Sequence, residues 1–247
     1  MDDEILRMCR RPPVELEVII PALNEEWRLP DTLSQVIGHL STLAWPSAVV
    51  VVDNGSVDRT AETIDRFRNE TVRVFAIGCS ERGKGAAVRR GILTSSAKFL
   101  GFIDADNATP ITAVDDALQL LHAGYDAAIA SRHALGARYE VEQPLVRRGG
   151  SWLFRRIVRM SLPEFTDTQC GFKFFDGRLV REIAAGCRID GFAFDVEMLV
   201  RMVRAGHTFA EVPVAWSDVA GSTFSVRRDA LRTMADLLRI SAPGGLK

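Results

Sequence analysis

Phe99-Leu100-Gly101-Phe102-Ile103-Asp104-Ala105-Asp106 joins an apolar run of five residues to two carboxylates set two positions apart. The run reads as a β-strand. Along an extended chain alternate side chains point the same way, so Asp104 and Asp106 project together from its end. Working outward, residues 17–20, 49–52, 72–77 and 127–130 are further short runs that read as strands. Between the first two, Leu29, Leu33, Val36, Ile37 and Leu40 recur at steps of three and four, which gives a helix one apolar face to lay on a sheet. Asp58, Ile64 and Phe67 belong to the next helix. Strands alternating with helices are βαβ units, and they predict an α/β fold: a mixed, mainly parallel sheet flanked by helices.

In such sheets ligands bind beyond the carboxyl ends of the strands, where the strand-to-helix loops gather and helix N-termini turn N–H groups toward anions. Polar residues collect at those ends here. Residues 21–25 follow the first strand, Asp53-Asn54-Gly55 the second, Arg82-Gly83-Lys84-Gly85 the third, and Asp104-Ala105-Asp106 the fourth. A purely structural chain would scatter them more evenly. The acidic pair suits magnesium or manganese, which prefer oxygen ligands and bridge a carboxylate to phosphate oxygens. Its other use is to cap a turn or helix. Asp53 projects where a nucleobase or ribose would be read, or it closes the tight turn that Asn54-Gly55 favours. Arg82-Gly83-Lys84-Gly85 offers backbone N–H groups and a cation to a diphosphate, although it is not a Walker sequence.

From 132 to 159, seven arginines face only Glu140 and Glu142, with His133 in addition, which reads as a loop followed by a basic helix. Helices over 178–185 and 195–205, a strand over 209–214 and a terminal helix over 227–240 follow. The phenylalanines at 172, 174, 175, 192 and 194 read as core, and Trp216 as core or as a platform for an acceptor or sugar. The chain has 247 residues, 47% of them hydrophobic, enough for one core but not two. A formal net charge of -1 argues against a nucleic-acid binder. Cys9, Cys79, Cys170 and Cys187 stand far apart, which argues against a zinc site or disulfide framework. No stretch is apolar enough to span a bilayer, so the expectation is a soluble, cytoplasmic chain.

The stretches VIIPALNEEWRLP (18–30), VVVDNGSVDRT (50–60), RGKGAAVRRG (82–91), DADNAT (104–109), ASR (130–132), DTQCGFKFF (167–175), FAFDVEML (192–199) and VPVAWSDVAGS (212–222) carry a resemblance. The chain resembles family 2 glycosyltransferases of the GT-A fold, and within them the dolichyl-phosphate or polyprenyl-phosphate β-glucosyltransferases. The resemblance runs from about Val18 to Asp236. It implies a single GT-A domain over 1–247, with residues 14–131 binding the nucleotide sugar and 132–240 the acceptor. Pro21, Ala22, Leu23 and Glu25 would line the nucleotide pocket and Asp53 would read the base. Asp104 and Ala105 would meet the ribose region, Asp106 would hold Mg2+ or Mn2+, and Lys84 would approach the diphosphate. Arg132 and Arg148 would grip an acceptor phosphate. The chain departs from the pattern at Leu23, where an aromatic is usual, at Asn54, where a second aspartate is usual, and at Thr223, where relatives carry a lysine.

The resemblance implies inverting transfer of glucose from UDP-glucose to a polyprenyl phosphate, with peripheral contact at the inner face of a membrane. The alternative acceptor is a hydroxyl of a small metabolite. A phosphate acceptor is already an anion and needs positioning only; a hydroxyl needs a base, and Asp195 aligns with the base position. Asp195 also suits the first turn of a helix, where the dipole favours an anion. Two rival classes remain at this stage. A sugar nucleotidyltransferase would open with a glycine-rich loop where this chain has Pro21-Ala22-Leu23-Asn24-Glu25, and a non-catalytic binder would keep the pocket without turnover.

Overall fold

The computed structural model describes residues 12–67, 71–139, 158–159, 162–216 and 226–241. Its strands are β1 (Leu16–Ala22), β2 (Ser47–Asp53), β3 (Val72–Gly78), β4 (Phe99–Ile103), β5 (Ala127–Ser131), β6 (Arg138–Tyr139), β7 (Phe172–Asp176), β8 (Phe209–Pro213) and β9 (Ala215–Trp216). Its helices are α1 (Leu29–Leu40), α2 (Thr60–Ile64), α3 (Lys84–Leu93), α4 (Ala113–His122), α5 (Gly177–Gly186), α6 (Phe194–Arg204) and α7 (Val226–Ser241). Seven strands make one sheet in the order β3-β2-β1-β4-β7-β5-β8, and β6 pairs with β9 apart from it.

The valine-rich runs are continuous because both faces of the sheet are covered. Ile19, Ala48, Val50, Val52, Leu100 and Phe102 face one apolar layer with residues of α3, α5 and α6. Val18, Ile20, Val49, Val51, Phe99 and Ile103 face the other, with α1 and α4. The alternation within β2, even residues to one side and odd to the other, is the strand period written into a single valine run. In α1 the five predicted apolar positions are all buried, and Pro30 sits in the first turn, where its missing N–H costs nothing.

All five strands expected in the first half form, three residues longer at most, and the helices expected over 178–185, 195–205 and 227–240 and the strand over 209–214 form as well, within a residue at each end. Not anticipated was β7, which lies antiparallel between β4 and β5. It places residues 170 and 171, just ahead of its start, at the carboxyl edge of β4, where Asp104 N–H donates to Gly171 O at 3.0 Å. Gly101 opposes Phe174 in this pairing, and a Cβ there would lie 2.2 Å from the Phe174 ring, so only glycine leaves the aromatic its seat. Among the described residues, no helix is long and apolar enough to cross a membrane.

Candidate functional site

A cleft of about 610 Å³ opens at the carboxyl edge of the sheet. Pro21 at the end of β1 with Leu23 and Glu25 after it, Asn54 and Gly55 after β2, Arg82 and Lys84 after β3, and Asp104 to Asp106 after β4 line it, so the four predicted loops do converge. The first two loops are laced together. Asn24 N–H donates to Ser56 Oγ and Val57 N–H to Asn24 Oδ1, both at 2.9 Å, and Glu25 N–H donates to Thr60 Oγ1 at 2.8 Å. Asn24 takes a positive φ of 57°, a conformation asparagine tolerates better than most residues. Glu25 is held by Arg28 through a two-pronged pair at 2.6 and 2.7 Å. Ala22 is buried in β1 and lies outside the cleft lining. Asp53 also lies outside it, with its Oδ1 accepting the Ser56 N–H at 3.1 Å, the turn-closing role.

Asp104 and Asp106 sit side by side on the cleft wall, as the strand period requires. Lys84 Nζ stands 2.5 Å from Asp104 Oδ1. Among the described residues Asp106 has no such lysine; its Oδ1 accepts the Ala108 N–H at 3.1 Å. Burial, and after it the charge of Asp104, push Asp106 above the usual carboxylate range. Burial also works against the charge of Lys84, but the carboxylates of Asp104, Asp195 and Asp106 outweigh it and hold the ammonium above the ordinary lysine range. Two anions with one cation between them form a donor set that a divalent ion fits. Among the described residues, no group of three His, Cys, Asp or Glu side chains cages a metal, so an ion at Asp106 would draw further oxygens from its ligand.

The loop before α3 corrects one expectation. The N–H groups of its two glycines are not free to cradle an anion: Gly83 N–H donates to Asn54 Oδ1 at 2.7 Å, and Gly85 N–H, with that of Ala86 after it, to Asp190 O at 2.8 and 3.2 Å. The first N–H groups of a helix have no partner within it, and the Asp190 carbonyl meets that need here. What the loop offers the cleft is the charge of Lys84 and Arg82. Gly83 has a φ of 132°, and a Cβ there would lie 2.0 Å from Asp190 O, which explains glycine at this position.

Asp195 and Arg132 lie outside the cleft lining. Asp195, in the first turn of α6, is buried, with its Oδ1 3.4 Å from the equally buried Lys173 Nζ. Arg132 is spent on Asp167: Nε donates to Oδ2 at 2.6 Å and Nη2 to Oδ1 at 3.0 Å, while the guanidinium lies over the Trp216 ring at 5.3 Å. This explains Trp216 without an acceptor. Arg148 and Thr223 lie outside the described residues, as does most of the basic 132–159 segment.

Against the cost of burial, the Arg132 hydrogen bonds and charge hold the Asp167 carboxyl at about 2, down from 3.8. A depressed carboxylate adds stability above its unfolded pKa and loses it as the pH falls through the folded value, so this pair contributes about 2 kcal/mol at neutral pH. Asp167→Asn is expected to lower unfolding stability by about that amount at neutral pH, with the gap closing between about pH 4 and pH 2. Urea denaturation across that range is the measurement.

The cleft also contains residues with little or no signal in the sequence. Arg28, which pairs with Glu25 on the cleft lining, was not read as a site residue. Arg232, Thr233 and Asp236, on α7, form a wall of the cleft beside Gly191 and Phe192. Burial pushes Asp236 above the usual carboxylate range, against the pull of Arg239 and Arg232. From its sequence, a terminal helix carrying Arg227, Arg228, Arg232 and Arg239 beside Leu231, Met234 and Leu238 reads as a face for a phosphate or an anionic membrane surface, or simply as a solvated face, and its pattern does not announce a cleft wall.

Residues 17–184 match the family described as Glycosyl transferase family 2. Dolichyl-phosphate beta-glucosyltransferase of Drosophila melanogaster is 33% identical over 251 residues, covering 93% of this chain and 75% of that protein. The protein of the same name from Dictyostelium discoideum is 30% identical over 242 residues, covering 92% and 74%. Among solved structures, glucosyl-3-phosphoglycerate synthase from Mycobacterium tuberculosis in complex with UDP superposes with a TM-score of 0.69 at 16% identity, over 98% of this chain and 84% of that one. Its complex with Mn2+, UDP-glucose and phosphoglyceric acid gives 0.68 at 18%, over 98% and 84%. The fold, the acidic strand tip and the match over most of the sequence agree: this chain belongs to glycosyl transferase family 2 and is a glycosyltransferase of the GT-A fold.

Proposed function

We propose that this enzyme moves glucose from UDP-glucose to the phosphate of a polyprenyl lipid, with inversion at the anomeric carbon. The observation that carries the reading is the convergence of Asp104, Asp106, Lys84 and Arg82 on one cleft at the carboxyl edge of the sheet. The names of the relatives support a glucosyl donor and a lipid phosphate acceptor, and structural neighbours holding UDP with Mn2+ or Mg2+ support the donor class. Asp106, with Asp104 beside it, would hold magnesium or manganese, which when bound neutralises charge on a departing diphosphate. Lys84 and Arg82 donate to the diphosphate oxygens as UDP leaves. A phosphate oxygen of the acceptor attacks C1 as the bond from C1 to the diphosphate breaks, and no proton need move. Buried Asp195 is not needed as a base in that step. Arg28, paired with Glu25, and Arg232 are further cations of the cleft wall. Exposed Trp27 and Leu135, in loops at the same edge as the cleft, are the apolar groups that would meet the cytoplasmic face of a membrane carrying the acceptor.

Asp236 favours a second reading, in which the acceptor is a hydroxyl. It lines the cleft, which Asp195 does not, and burial raises it toward the range of a general base. Product analysis separates the two. The protein is incubated with UDP-glucose and Mg2+ or Mn2+, with a polyprenyl phosphate in one tube and a panel of hydroxylated small molecules in the other. A glucosyl phospholipid formed in the first tube alone is the expected result; a glycoside in the second alone, abolished by Asp236→Asn, would establish the second reading. Calorimetry against GDP and dTDP sugars tests the nucleotide.

A further inference from the structure

Lys173 is a lysine with only 1% of its side chain exposed, in the middle of the sheet. Its strand neighbours are Phe102 of β4 and Ile129 of β5. Its Nζ lies 5.3 Å from the Phe102 ring centre and donates to Cys170 O at 2.6 Å. The nearest anion is Asp195 Oδ1, 3.4 Å away, an oxygen with no hydrogen-bond partner among the described residues. Buried charges of this kind are retained only when each has its counter-ion, and removing one partner leaves the other to find a substitute or destabilise the fold.

The substitute at hand is Lys84. The start of α3 presses against the start of α6: a Cβ on Gly85 would lie 2.5 Å from Phe194 Cβ, and Lys84 Nζ stands 6.0 Å from the Phe194 ring. Asp195 and Lys84 each feel the other's charge, while Lys84 Nζ lies against Asp104 Oδ1. The charges therefore alternate from the interior to the cleft as Lys173, Asp195, Lys84 and Asp104. Lysine carries its charge on a flexible stem, so the position of Lys84 depends on which anion is uncompensated.

The geometry points to Lys173 as a positioning residue: its buried ammonium satisfies Asp195, so that Lys84 stays turned to Asp104 at the cleft wall and is available to the donor. This rests on the reading of Lys84 as a contact of the nucleotide diphosphate. Lys173 touches neither donor nor acceptor and acts through Lys84. The arrangement also gives Asp195 a counter-ion role in the free enzyme that is independent of the acceptor.

The test compares Lys173→Gln with Lys173→Gln/Asp195→Asn, using UDP with Mn2+ as the probe in calorimetry and crystal structures of each protein. Glutamine retains a donor for Cys170 O but removes the charge. The single variant is expected to bind UDP about tenfold more weakly, with Lys84 withdrawn from Asp104. In the double variant no anion competes for Lys84, and affinity is expected within about twofold of the unsubstituted protein. A single variant that fails to fold, beside a double variant that folds and binds UDP normally, equally supports the neutralising role. The proposal is overturned if the folded single variant has normal UDP affinity with Lys84 in place, or if the double variant binds as weakly as the single one or does not fold. Failure of the unsubstituted protein to bind UDP would instead remove the donor assignment, and the Lys84 position in the crystals would still decide the role of Lys173.

Discussion

Asp106→Ala is expected to abolish sugar transfer, with kcat/KM falling by about a thousandfold or more, and to remove the metal dependence of UDP binding. Among the described residues the carboxylate is the one in the pair without a lysine against it, and it is buried enough to be held above its usual range. Both conditions are relieved by a bound cation, so the unliganded site is electrostatically uncomfortable and the substitution removes that discomfort. The apo protein should therefore melt no lower than the unsubstituted one. Steady-state rates, UDP calorimetry with and without Mn2+, and a melting curve test this together; wild-type turnover in the variant would remove the metal role from Asp106.

Gly171→Ala is expected to cost about a hundredfold in kcat/KM while leaving most of the stability. A Cβ at this position would lie 2.0 Å from Asp104 Oδ2 and 2.5 Å from Oδ1, so the Asp104 carboxylate must turn away. Because Lys84 is paired with that carboxylate, the cation on the cleft wall moves with it. The contact is with the end of a side chain, and the fold can absorb it. Gly83→Ala is the contrast, since its Cβ would meet the backbone carbonyl of Asp190 at 2.0 Å with φ at 132°, and there the fold itself would give. Rates for Gly171→Ala read beside its melting temperature distinguish a displaced site from a damaged core; a normal rate would show that the Asp104 and Lys84 positions do not matter.

The strands of the first half and α1 were legible because burial on both faces of a strand, or one face of a helix, leaves a local pattern. The tips of those strands were legible for the same reason, since each polar cluster follows directly on an apolar run. β7 was not read as a strand because Phe172-Lys173-Phe174-Phe175 has no alternation and holds a buried lysine, and its antiparallel direction depends on β4 and β5, which are distant in sequence. The fates of Arg132, Asp195 and the N–H groups before α3 were hidden likewise, because their partners Asp167, Lys173 and Asp190 are 35 or more residues away or in a different element. The basic face of α7 was legible, but its place as a wall of the cleft was not, because that depends on its packing beside Gly191 and Phe192. A motif names the groups that are near a site, and only packing decides which of them are already committed.

The position of β7 also constrains how the molecule is made. β4 and β5 leave the ribosome early but are not neighbours, and the strand that joins them arrives some forty residues after β5. Until it does, a nascent chain has two ribbons with bare margins and no way to zip them together. The acidic tip of β4 is completed by the same late segment, through Gly171. The donor half and acceptor half expected from the sequence would thus differ in ligand and not be separate folding units: cut between them, the first part would carry most of the recognisable motifs and still lack the seam that assembles them.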